Sequence, residues 1–177
     1  MDATGFDARP VSHYFVRQAG RRLRQRRWPK LTAVVDVRTH RFLAAAVTRG
    51  PSQDAPHLVP AVRRAAARAR LDTVLADAGY DSEANHVAAR RLGVRAAVIA
   101  LNWRGSRKWP RARYRRRMVR RPRPVYGQRW QAESAFSRPK RRLGAAVASV
   151  RWPNQRMEIL LKVYAHNILL LAPRVST

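Results

Sequence analysis

Residues 73–101, TVLADAGYDSEANHVAARRLGVRAAVIAL, decide the architecture of this chain. Thr73-Val74-Leu75-Ala76 is a short apolar run of the kind that fills a buried strand. It stops at Asp77, and Gly79 follows as a turn residue. Ser82 then offers a side-chain oxygen to the first free N–H groups of a helix. Ala84, Val87, Ala88 and Leu92 recur at helical spacing, and Gly93 ends the segment. Val94 to Leu101 reads as the next strand. Two strands joined through a helix lie parallel, with the helix on one face of the sheet.

The same reading extends in both directions. Upstream, Leu31 to Asp36 and Phe42 to Thr48 are β-rich runs joined by residues 37–41, which predicts a hairpin. Asp54 sits at an N-cap position, and Leu58, Val62, Ala65, Ala66 and Ala69 predict a helix to about Arg70. Downstream, Arg104 to Arg123 holds eleven basic residues, two prolines and no acid, and reads as a loop or arm spanning about 102–125, with Trp109 and Tyr114 among the arginines. A helix is expected from about Tyr126 to Leu143. Another is expected from about 154 to 172, with Met157, Leu160, Leu161, Tyr164, Ile168 and Leu171 on its apolar side. The order predicts an α/β chain, a mixed sheet flanked by helices, in one domain over residues 1–177.

Composition narrows the partners. The 177 residues hold 38 Lys+Arg against 10 Asp+Glu, a net charge of +28, and only Lys30, Lys108, Lys140 and Lys162 are lysines. Arginine meets phosphate with two parallel N–H donors, so a nucleic acid is the expected partner. At 46 % apolar the chain can still build a core. It has no cysteine, which excludes disulfides, thiolate zinc sites and thiol catalysis. The most apolar run, Ile159 to Leu171, is shorter than the roughly 20 residues a membrane span needs. No signal-peptide pattern opens the chain, so a cytoplasmic protein is expected. Phosphate-loop and dinucleotide-binding glycine patterns are absent, and no two histidines stand four apart.

Because acids are scarce, each can be weighed. Asp77 stands at the C-terminal end of a buried strand, where open α/β sheets take their ligands. Its plainer role is a turn or cap. Glu133 lies in a basic helix. At about 100° per residue, Tyr126, Arg129, Glu133 and Lys140 fall within about 60° of one another. That places a carboxylate between two cations, although an Arg129–Glu133 ion pair on a solvated face reads equally well. Asp36 reads as a hairpin residue and Asp54 as a cap. Asp72, Asp81 and Glu83 read as loop or cap residues, and Glu158 as a surface pair with Arg156 or Lys162. Asp2 and Asp7 say nothing alone.

Taken together, these pieces resemble a known family. Tyr126-x2-Arg129-x3-Glu133-x6-Lys140, within YGQRWQAESAFSRPKRRLG, resembles the Tyr-Arg-Glu-Lys signature of DDE-type insertion-sequence transposases. LADAGYDSEAN resembles the segment carrying that family's second catalytic Asp, which falls on Asp77. DATGF resembles the segment carrying the first, which falls on Asp2. The resemblance implies a ribonuclease-H-like fold in which Asp2, Asp77 and Glu133 are catalytic and hold two Mg2+ (or Mn2+) ions. It implies DNA end cleavage and strand transfer, transposon ends and target DNA as partners, a homodimer on DNA, and a place on the prokaryotic nucleoid. Arg129, Lys140 and Tyr126 would hold phosphates, and Trp109 with the arginine-rich arm would grip the DNA end.

Two departures set further expectations. The family's first Asp is here residue 2, so the first strand is expected to be truncated and Asp2 loosely fixed, in a chain that reads as an N-terminal truncation and an inactive fragment as well as an active domain. Pro139 precedes Lys140 and is expected to kink the helix and turn Lys140 away. The alternative function is a non-catalytic basic nucleic-acid-binding protein. A stand-alone ribonuclease-H-like nuclease is a third reading.

Overall fold

A computed structural model describes residues 1–8, 28–103, 109–120 and 123–171. Parts of the expected arm (104–108 and 121–122), His13 and the last residue expected of the C-terminal helix, Ala172, lie outside the described residues.

β3 (Pro29–Val35) and β4 (Phe42–Arg49) form the expected antiparallel hairpin, with Ala33 opposite Ala45. Asp36 ties its turn: the Arg38 N–H and Thr39 Oγ1 donate to the carboxylate at 3.1 and 2.5 Å. β1 (Asp2–Gly5) lies antiparallel along the other edge of β3, with Asp2 opposite Ala33 and Gly5 opposite Lys30. The strand expected to be nearly absent is therefore present and paired along its four residues. Buried Met1 and Phe6 flank it and enter different hydrophobic clusters, fastening it from both ends.

β5 (Thr73–Ala76) and β6 (Ala96–Ile99) run parallel, with Leu75 opposite Val98. The Met1 backbone nitrogen donates to the Leu75 carbonyl at 2.5 Å, joining β1 to β5. In place of the single mixed sheet expected, the described strands form an antiparallel sheet in the order β4, β3, β1 and a parallel pair β5, β6, linked by this one bond. A two-residue parallel pair, β2 (Asp7–Ala8) with β7 (Ala146–Val147), was not legible in the sequence.

Helices cover both faces. α1 (Leu58–Ala66) and α2 (Glu83–Arg91) bury Leu58, Val62, Ala65 and Ala89 against Val34, Val74, Ala76 and Ile99. The Ser82 hydroxyl accepts from the Asn85 N–H at 3.1 Å, so the expected cap forms. Gly93, at φ 84°, closes the helix where a side chain would be strained. The inward face of α2 differs from the expected one: Asn85, His86 and Ala89 are buried. Asn85 is turned inward by what it binds, as its Nδ2 donates to the carbonyls of Ala55 (2.9 Å) and Tyr80 (2.8 Å).

The basic arm is partly helical. α3 (Arg113–Met118) and α4 (Arg123–Gly127) replace the expected loop. The Glu83 carboxylate accepts from the Tyr114 and Arg115 N–H groups, both at 3.0 Å, capping α3 from another helix. Asp81, whose side chain is wholly buried, holds Arg115 at 2.8 Å. Met118 sinks among Leu75, Val98 and Leu101, with Tyr126 packed alongside.

The helix expected over 126–143 is divided. After Gly127 the Gln128 and Arg129 N–H groups bond three residues back, to Val125 and Tyr126, and α5 (Trp130–Leu143) begins beyond this tight turn. Glycine's poor helix propensity, about 1 kcal/mol below alanine, locates the break. α6 (Trp152–Leu171) completes the second layer. Phe136 of α5 and Ile159 and Val163 of α6 pack on Leu31, Ala33, Val35, Phe42 and Val47. The apolar side expected of α6 is largely reversed: Ile159, Val163 and His166 face the core, with Leu160 of the expected set packed beside them, while Met157, Leu161, Tyr164, Ile168 and Leu171 are exposed.

Candidate active site

Asp2 opens β1, and it is held on both oxygens. Oδ1 accepts from the Ala3 N–H at 2.8 Å, and Oδ2 accepts from Arg129 Nη1 at 3.0 Å. The expectation of a loosely fixed Asp2 is thereby corrected, because the paired strand and the guanidinium fix it. Burial pushes its carboxyl above the ordinary range and nearby Asp77 adds to the rise, against the Ala3 N–H and Arg129.

Asp77 follows β5 directly. Its Oδ1 accepts from the Ala78 N–H at 2.7 Å, opening a 3-10 turn over Ala78–Tyr80. Both readings of Asp77 meet here, since it caps the turn while its side chain remains exposed. Buried Tyr80 and the Asn85 amide hold the turn in place. Gly79 leaves room for Asp54, whose Oδ2 would stand 3.0 Å from any Cβ added there. Asp54 does not bond a helix N–H; its carboxylate pairs with Lys30 Nζ at 2.6 Å.

Glu133 is exposed on the first turn of α5. Arg129, one turn earlier, donates from Nη2 to Glu133 Oε1 at 2.7 Å while its other arm reaches Asp2. One guanidinium therefore bridges the two carboxylates. Burial works against the charge on Arg129, but Asp2, Tyr126, Asp77 and Glu133 together raise its affinity for the proton. Asp77 thus lies within electrostatic reach of both Asp2 and Arg129.

Lys140 does not join this group. Its ammonium donates to Thr4 Oγ1 and the Gly5 carbonyl, both at 2.7 Å, and stands 5.0 Å from the centre of the Phe6 ring. Pro139 does not turn it outward: α5 continues through buried Pro139, and Lys140 fastens the end of β1. Burial lowers the Lys140 pKa, with Asp7 opposing. Tyr126 belongs to α4, not α5, so the four signature residues do not share one helix face. Trp109 is 68 % exposed ahead of α3.

Asp2, Asp77 and Glu133 offer the kind of oxygen donor that a hard divalent cation takes. Among the described residues no three acids or histidines stand close enough to share an ion in this conformation, in which Arg129 spans Asp2 and Glu133. Sequence reasoning missed Asn85, which steadies the Asp77 turn, and Thr4, which receives Lys140. Asn85 three residues after a cap Ser carried a faint signal, as a polar residue at an inward position, whereas Thr4 carried none.

A family model described as the transposase DDE domain matches residues 1–168. No curated protein and no solved structure matches the chain. The family match covers nearly the whole chain, so the chain belongs to the DDE transposase family.

Proposed function

We propose that this chain performs metal-dependent DNA end cleavage and strand transfer for an insertion sequence, working as a pair of subunits on DNA at the nucleoid. The observation that carries the reading is the Arg129 bridge between Asp2 and Glu133, with Asp77 in electrostatic reach. An antiparallel β4-β3-β1 sheet tied through Met1 to the parallel pair β5-β6 supports a ribonuclease-H-like arrangement, and the +28 charge supports a polyanionic substrate.

In this reading Asp2, Asp77 and Glu133 hold two Mg2+ or Mn2+ ions. Such ions, when bound, supply activation of the attacking oxygen and stabilisation of the leaving one. The chain's own residues do the rest. Arg129 exchanges its carboxylate partners for substrate phosphate, which its forked donors fit. Lys140 keeps β1, and with it Asp2, in register. Tyr126 packs at the base of the arm, beside the phosphates. Trp109 and the arginines of the arm grip the DNA end, where an exposed indole can stack on an unpaired base. Water attacks the phosphodiester at the element's end and frees a 3′-hydroxyl. That hydroxyl attacks a target phosphodiester and displaces its 3′-oxygen.

The test is nicking of DNA in Mg2+ or Mn2+ by the wild type and by Glu133→Ala, whose exposed position leaves the fold intact. Metal-dependent nicking that disappears in the variant supports the reading; nicking unchanged by the substitution contradicts it. A second reading, nucleic-acid binding without catalysis, needs only the basic surface of a chain with net charge +28. It requires DNA affinity that falls with salt and ignores both Asp77 and Glu133.

A further inference from the structure

Among the described residues β4 is the outer strand of its sheet, and one side of its backbone faces no strand. Register shows which groups point outward. The Gly50 N–H bonds the Trp28 carbonyl at 2.7 Å, and the Phe6 N–H bonds the Pro29 carbonyl at 2.9 Å. Antiparallel ladders alternate, so Lys30, Thr32 and Val34 bond β4, while Ala45, Val47 and Arg49 turn their N–H and C=O groups away from β3. Past the irregularity at Val34/Val35 the outward groups are already answered. Asn167 of α6 donates to the Phe42 carbonyl and accepts from the Phe42 N–H, both at 2.9 Å, as a residue of a neighbouring strand would. Arg68 donates to the Leu43 carbonyl at 2.7 Å. Among the described residues nothing bonds the outward groups of Ala45 and Val47. Such an edge is a template for a further strand.

The edge lies in a groove of about 680 Å³ between α1 and α6. Leu160 and Tyr164 make the α6 wall apolar, with Arg156 at its start; Arg64 stands on the α1 wall, and Arg68 follows that helix. The three arginines are exposed. None of them pairs with a carboxylate among the described residues, which include all ten acids of the chain. Charge therefore selects an acidic occupant. The chain cannot supply it: residues 9–27, 104–108, 121–122 and 172–177 contain no Asp or Glu, and a second copy carries the same +28. DNA has the charge but not the pattern. Its phosphates accept hydrogen bonds and donate none, so they leave the edge carbonyls unanswered, whereas an extended peptide offers both N–H and C=O groups.

We propose that the free edge of β4 is a docking groove for an extended acidic segment of another protein, which joins the sheet as a further strand. A strand sends alternate side chains to opposite faces. The segment thus places acids toward α1 and apolar side chains toward α6. Asn167 and Arg68 close one end of the groove, so the segment lies alongside Ala45 to Arg49. β3 separates this edge from β1 and Asp2, and the proposal stands whether or not the chain cuts DNA.

The experiment is fluorescence anisotropy of a labelled peptide, Glu-Val-Glu-Val-Glu-Val, titrated with the full chain in about 0.2 M salt, which screens attraction between exposed charges. Three comparisons accompany it: the block peptide Glu-Glu-Glu-Val-Val-Val, the alternating peptide methylated on its valine or on its glutamate nitrogens, and the chain carrying Arg64→Glu with Arg156→Glu. Methylation keeps the charge and removes the N–H groups that an antiparallel (valine) or a parallel (glutamate) strand would use. The alternating peptide is expected to bind about tenfold more tightly than the block peptide. One or both methylated peptides, and the double variant, should lose about tenfold, the effect of a pair of hydrogen bonds. Circular dichroism of the variant should be unchanged, and the methylated peptides test the wild-type chain in any case. Absence of binding overturns the proposal, and the arginines then only keep other strands off the edge. Equal binding of the block peptide, of both methylated peptides or by the double variant overturns it too.

Discussion

Arg129 is the residue on which the site turns. Without bound cations, the half-buried Asp2 carboxylate depends on this guanidinium for its charge partner. Arg129→Ala leaves that carboxylate uncompensated and is expected to cost about 1–3 kcal/mol of stability, since a partly buried charge loses a charge-assisted hydrogen bond. Thermal melts check this, and added Mg2+ is expected to raise the melting temperature of the variant more than that of the wild type. Half of the arrangement was legible in the sequence: the four-residue spacing of Arg129 and Glu133 announces an ion pair. The other half joins residues 127 positions apart and depends on how β1 lies beside α5, which local pattern does not encode. The place of Lys140 was not legible for a related reason: its partners, Thr4 and the Gly5 carbonyl, come from the far end of the chain.

At the scale of elements, the strand–helix–strand stretch was readable because each strand is a continuous buried run and the helix has its own cap. The helices of the arm were not readable because what stabilises them lies elsewhere in sequence. α3 has no side-chain cap of its own; Glu83 of α2 supplies one. Glu83→Gln is therefore expected to cost about 1 kcal/mol, a typical value for a cap, and to reduce helical dichroism as α3 frays. Glu158 acts in the same way on the loop before α6. It accepts from the Ala148 and Ser149 N–H groups at 2.9 and 3.0 Å and stands 3.7 Å from Lys162. Burial works to raise its carboxyl, but these donors outweigh it and hold the group below its ordinary 4.5. A carboxylate with a depressed pKa in the fold stabilises above the unfolded value, and this contribution is lost as the pH falls through the folded one. Glu158→Gln should thus be less stable than the wild type at pH 7 by about 1–2 kcal/mol, and its melting temperature should fall less steeply below pH 4.5. The direction of α6 was misread because the helix is apolar on both sides, so periodicity could not say which side faces the sheet.

For the whole molecule, helices cover both faces of the strands, and a heavily basic exterior surrounds a few acids. Most of those acids are occupied structurally: Asp36 in a turn, Asp54 with Lys30, Asp72 with Arg95, Asp81 with Arg115, and Glu83 and Glu158 as caps. Of the other four, Asp7 lies on β2, Asp77 caps the turn after β5 with its side chain exposed, and Asp2 and Glu133 share Arg129. DNA affinity should fall about a thousandfold between roughly 50 and 200 mM salt if six or more phosphates are neutralised. Titrations should show the same salt slope for Glu133→Gln, since a carboxylate contributes no released counterion. The central claim, that Asp2, Asp77 and Glu133 take up divalent metal once Arg129 lets go, is tested most directly by following Mn2+ binding to the full chain by electron paramagnetic resonance. The account predicts saturable binding by the wild type, tighter binding by Arg129→Ala, and loss of binding in Asp77→Asn and in Glu133→Gln, with circular dichroism unchanged in both. Binding that survives both carboxylate substitutions, or a wild type that binds no Mn2+ even when Arg129 is replaced, would contradict it.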